Sequence, residues 1–131
     1  MVPINKEKDN IMGYRSDVLL VLDKNATVNF NEQLKNAPED IKADVQVLLN
    51  AITDECTAST GEKLYYWEWI KWYIEYKSVE FIENFLAKLD EEQYLIVRLG
   101  EELTDIEENG AFFDNPFNAG LRQTIEYNAQ Q

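Results

Sequence analysis

Histidine is absent from this 131-residue chain and cysteine occurs once, as Cys56. Without histidine there is no Ser-His-Asp or Cys-His arrangement, no side chain that titrates unperturbed near neutral pH, and none of the commonest transition-metal ligand. An ordinary structural zinc site cannot be built from one cysteine, and neither can an intramolecular disulfide. Long apolar runs are also missing. The longest aliphatic stretch, Val18 to Leu22, is far too short to cross a bilayer, and Met1 to Gly13 is mixed in charge with no central apolar segment. A chain that stays in a reducing cytoplasm, without membrane contact, is the expectation. Cations are scarce as well, 12 against 25 carboxylates.

What is present divides into a core and a field. Hydrophobic residues make up 45% of the chain, with seven tyrosines, six phenylalanines and three tryptophans. That is enough apolar and aromatic surface to offset ordering entropy in a single domain of this length. The formal charge of −13 is concentrated: between Asp90 and Asp114 nine carboxylates face Arg98 alone, a local balance of −8. Such a segment repels nucleic acid and anionic membrane and attracts basic surfaces.

Residues 1–12 read as a polar arm, and 13–128 as one domain. Asp17 and Asp23 bracket the apolar run Val18–Leu22, which predicts a strand covered on both faces. Asn25 to Asn36 suits a short helix or a loop, since its asparagines favour caps and turns. Pro38, followed by Glu39 and Asp40, marks a helix start. Ile41, Val45, Leu48 and Ile52 then give one apolar stripe. That helix is expected to fade by Thr53 to Ser59. Leu64 to Tyr76 is the most β-prone stretch, predicting a long or bent strand with Tyr65, Trp67, Trp69, Lys71 and Tyr73 on one face. Ser78 is placed as the cap of a second helix with Val79, Ile82, Phe85, Leu86 and Leu89 inward.

Tyr94 to Leu99 predicts a strand ending at Gly100. Asn109-Gly110 suits the tight turn of a hairpin between Thr104–Glu108 and Ala111–Phe113, and Leu121 to Tyr127 alternates like a last edge strand. The order gives an α+β domain: a two-layer arrangement with a mixed or antiparallel sheet of four to five strands and two main helices packed on one face.

Three segments carry a family resemblance: Met12-Gly13-Tyr14-Arg15-Ser16-Asp17-Val18, Trp67-x-Trp69-x-Lys71-Trp72-Tyr73, and Leu95 to Glu108. Together they resemble small acidic proteins encoded by bacteriophages and prophages, over about residues 12 to 114. The resemblance implies a small α+β fold and a host-cytoplasm setting, with no established activity or catalytic residue to carry over.

The candidate site follows from the charge. Carboxylates at Asp105 and Glu107 on one strand face emerge about 6.6 Å apart, twice the strand rise. Phosphates along a DNA strand recur every 3.4 Å, roughly. With Glu101, Glu102 and Glu108 they would form an anionic ridge able to occupy the basic groove of a host nucleic-acid-binding or defence protein. The ordinary explanation is solubility of an exposed hairpin. Trp67 and Trp69 are candidate aromatic anchors, against the ordinary explanation of core packing. Two rival readings stand beside this non-enzymatic, protein-binding one. The first is a carboxylate-dependent enzyme built on Glu68 or Glu75 amid aromatics, and the second is a structural protein that forms a homodimer through the aromatic strand. No cofactor is expected. The acidic run Asp105 to Gly110 matches a calcium loop poorly, so no metal is expected either. Arg15, Arg98 and Lys71 are expected to pair with sheet-edge carboxylates.

Overall fold

In the computed structural model, which describes residues 13–122, the apolar run is the centre of the sheet. Strand β1 (Ser16–Leu22) lies between β3 (Lys63–Ile70) and β4 (Tyr94–Gly100), with β2 (Asp54–Thr57) and β5 (Ile106–Gly110) at the edges. All neighbouring pairs are antiparallel. Alternation along β1 sends Val18, Leu20 and Leu22 to one face and Leu19 and Val21 to the other, and apolar residues cover both.

The first face carries the helices. α1 (Lys24–Lys35) begins where the side chain of Asp23 accepts the Ala26 N–H at 2.7 Å, so the residue that closes the strand also caps the helix. Ala26 and Phe30, one turn apart, are buried, whereas Asn25, Asn29 and Asn31 lie on the exposed side, where their turn preference decides nothing. The ambiguous segment is therefore a full helix. α2 (Glu39–Asn50) follows Pro38 and buries Val45 and Leu48. α3 (Lys77–Ala87) buries Val79, Ile82, Phe85 and Leu86. Ser78 does not cap it: Tyr76 holds the N-cap position and Ser78 is buried inside the first turn. Phe30 meets Phe85 edge-on at 5.2 Å, and Tyr65 stacks on Trp67 at 5.9 Å, which ties α1, α3 and β3 into one core.

The second face is covered without regular structure. Phe112, Phe117, Ala119 and Leu121 pack on Val21, Leu95 and Val97. Buried Asn115 holds this segment in place. Its amide donates to the Phe112 and Ala119 carbonyls, and its oxygen accepts from the Phe117 and Ala119 N–H groups.

Three further expectations are corrected. β2 forms where the helix was expected only to fade. All four of its residues are exposed, so the ladder with β3 and not burial makes the strand. The long strand ends at Ile70, because the register slips between Val18 opposite Trp67 and Ser16 opposite Ile70. This bulge places Trp69 at φ 58°. Asn109-Gly110 is no hairpin turn. Asn109 pairs with Ile96 and Gly110 with Leu95, and the turn spans residues 101–105 instead. Gly110 does adopt φ 85°, at the point where the chain leaves the sheet, and a Cβ there would lie 2.2 Å from the Tyr94 carbonyl oxygen. The strand proposed for Leu121 to Tyr127 falls outside the described residues beyond Arg122.

Candidate functional site: the acidic hairpin end

Ile70 and Gly100 both pair with Ser16, so the end of β3 and the β4–β5 turn leave the sheet on the same side of the molecule. At that end, Arg98 is the hub. Its Nη2 donates to Asp105 Oδ1 at 2.7 Å, its Nη1 to Asp105 Oδ2 at 3.2 Å and to Ser16 Oγ at 2.9 Å, and its Nε to Glu107. Tyr14 Oη donates to Asp105 Oδ2 at 2.6 Å, and Glu101 accepts the Arg15 backbone N–H at 2.7 Å. A Cβ on Gly100 would stand 2.1 Å from Asp105 Oδ2, so the carboxylate sits directly against bare backbone.

This network sets the ionisation of its members. Hydrogen bonding from Arg98 is the main reason the Asp105 carboxyl titrates below its ordinary range, with burial opposing it and Tyr14 assisting. Burial also works against the Arg98 charge, but Asp105 and Glu107 more than restore it. Burial, then the bond to Asp105, pushes the Tyr14 hydroxyl upward.

The five ridge residues thus divide. Asp105 and Glu107 both turn to Arg98, whose single charge offsets one of the two, and Glu101 clamps the chain at Arg15. Glu102 and Glu108 are exposed. Glu108 pairs with Val97, whereas Glu107 pairs with Arg98, so the two leave β5 on opposite faces. Among the described residues Asp90, Glu91, Glu92 and Asp114 have no ion pair, but they flank Tyr94 and Gly110, at the far end of the β4–β5 ladder from the turn, so the acidic segment is divided between the two ends of the hairpin.

Of the two tryptophans, Trp67 is corrected. It is 1% exposed, stacked on Tyr65, with Nε1 donating to the Leu48 carbonyl at 2.9 Å, so it cannot anchor a partner. Trp69 is 58% exposed. Its backbone N–H donates to Asp17 Oδ1 at 2.8 Å, and the Arg15 guanidinium lies 3.4 Å from its carbonyl oxygen. Asp17 is in turn paired with Leu99, and Leu99 with Ile106. A row crossing four strands therefore runs Trp69, Asp17, Leu99, Ile106, with Leu103 almost fully exposed in the adjoining turn. Sequence reasoning missed Leu99, Leu103 and Ile106. Their one available signal was apolar side chains inside the most acidic segment.

Other site readings find less. Glu68 and Glu75 are exposed and not enclosed by the aromatics around them. Cys56 is exposed in β2. Among the described residues no group of three or more acidic, histidine or cysteine side chains is arranged to hold a metal, and no helix is long and apolar enough to cross a membrane. Comparison with family models, with curated proteins and with solved structures gave no match.

Proposed function

We propose that this chain is a non-enzymatic protein-binding module that docks a basic protein against its hairpin end, in the manner of a phage-encoded acidic inhibitor of a host nucleic-acid-binding or defence protein. One observation carries the reading: exposed Glu102 and Glu108 lie on a hairpin that also exposes Leu99, Leu103 and Ile106 and is stiffened from behind by Arg98. Long-range attraction to a cationic surface sets the encounter, and the apolar row with Trp69 supplies contact area that charge alone does not give. Asp105 and Glu107 act here as positioning residues, holding the turn in shape, and the contacting carboxylates are Glu102 and Glu108.

The test is capture of basic nucleic-acid-binding proteins from a bacterial lysate on the immobilised chain. Retention is expected to fall steeply with salt and to be lost on Glu102→Lys/Glu108→Lys. Retention that ignores both salt and that double reversal rejects the reading. The exposed Trp69 also favours a homodimer as a second reading. Sedimentation separates the two, since only the homodimer requires Trp69→Ala to change the mass of the isolated protein.

A further inference from the structure

At the same end of the molecule a cleft of about 370 Å³ opens between α2 and the start of α3, lined by Asp44, Val47, Glu75, Tyr76, Lys77 and Ser78. This is small for a ligand site, where roughly 300–1,000 Å³ is usual, and suits one side chain better than a whole metabolite. Its walls are apolar surface left in water: Val47 is 68% exposed and Tyr76 43% exposed, and the Tyr76 ring lies 5.1 Å from that of Tyr73.

Carboxylates outnumber cations in the cleft. Lys77 is its only cation, and its Nζ is taken by Asp40 at 2.8 Å. Asp44 and Glu75 have no ion pair among the described residues. The N-terminus of α3 adds a positive end of roughly half a charge. Glu80 in the first turn of α3 offsets part of that, and Asp44 with Glu75 outweighs the remainder.

We propose that this cleft receives an arginine side chain from a partner protein, its stem against Val47, its guanidinium over the Tyr76 ring and between the Asp44 and Glu75 carboxylates. A planar guanidinium stacks on an aromatic face and forks to carboxylates, where a lysine ammonium remains a hydrated point charge. The proposal rests on the preceding reading only in taking the partner to be basic. The cleft lies in the helix layer, whereas Leu99, Ile106 and Glu108 belong to the other face of the sheet, so the cleft is a separate contact from the hairpin row.

The test titrates the isotope-labelled full chain with a blocked Gly-Arg-Gly peptide and with the same peptide carrying neutral citrulline. The amides of Asp44, Val47 and 75–78 are expected to shift saturably with the arginine peptide, and citrulline to bind at least about tenfold more weakly. Asp44→Asn/Glu75→Gln, both at exposed positions, is expected to remove the response, and Val47→Ser to weaken it. Glu102→Lys/Glu108→Lys is expected to leave it in place. Equal binding of citrulline, shifts confined to the hairpin, or indifference to Asp44→Asn/Glu75→Gln overturns the proposal. Should the hairpin reversal abolish lysate capture while the cleft variant retains both capture and the peptide response, the hairpin reading survives and the cleft assignment falls.

Discussion

A single residue separates Trp67 from Trp69, yet one is 1% exposed and the other 58%, because the ladder with β1 is regular up to Val18 opposite Trp67 and resumes only at Ser16 opposite Ile70. On the regular side of that slip, alternation drives every second ring into the helix-covered core. On the bulged side the chain turns through a left-handed residue, and a large apolar ring is delivered to solvent beside the acidic hairpin. A non-glycine residue in that region costs about 1–2 kcal/mol. The molecule therefore holds two kinds of order. A packed apolar interior surrounds Trp67, and a hydrogen-bonded polar network, with Arg98 at its centre, shapes the end that carries Trp69.

The largest separation between them is expected from truncation. Trp67→Ala removes a stacked ring and a buried hydrogen-bond donor and should cost about 3–5 kcal/mol in urea unfolding. Trp69→Ala should cost less than about 1 kcal/mol, since it removes mostly exposed surface. Comparable losses from the two would break the contrast drawn between the halves of β3.

Next in size is Arg98→Met. It strands Asp105 and Glu107 beside each other, and a loss of about 1–3 kcal/mol is expected, moderated because Glu107 is largely exposed. The same variant sharpens the acid limb. Asp105 titrates below its ordinary value in the folded chain, so its contribution is complete above about pH 4 and disappears as pH falls through the lowered folded value. Acid unfolding of Arg98→Met should lack that component.

The core has its own titration at the opposite limb. Burial pushes the Tyr65 hydroxyl up to about 12. Folding thus retains a proton that the unfolded chain releases near pH 10, and stability falls as pH rises from there toward 12. Tyr65→Phe should flatten that alkaline loss. The smallest effect belongs to Glu102→Lys/Glu108→Lys, within about 0.5 kcal/mol in stability because both side chains are exposed. A large loss would show that these carboxylates support the fold.

Much of the fold was legible because burial repeats at fixed spacings. The stripe Ile41, Val45, Leu48 and the stripe Val79, Ile82, Phe85, Leu86 each trace a helix, and the uninterrupted run in β1 signals a strand covered twice. The α1 segment stayed open between helix and loop because asparagine spoke against the helical turn that Phe30, Gln33 and Leu34 favoured. β2 carries no apolar pattern at all, so only the neighbouring edge of β3 could reveal it. Asn109-Gly110 misled for a related reason. The left-handed glycine is real, but it serves the exit from β5, while the turn belongs to residues 101–105.

The site was legible as charge and not as arrangement. A balance of −8 around one arginine is written in residues 90 to 114, but which carboxylates that arginine would take is not. By itself the sequence determined an α+β domain with a twice-covered central strand and an acidic final third, because periodicity and net charge are sums over residue types. Only the tertiary structure decided that Asp105 and Glu107 turn to Arg98, that Trp67 is core while Trp69 is surface, and that Asp44 meets Glu75 across a cleft. Those outcomes depend on register and on contacts between residues far apart in the chain, where a slip of one position moves a side chain to the other face.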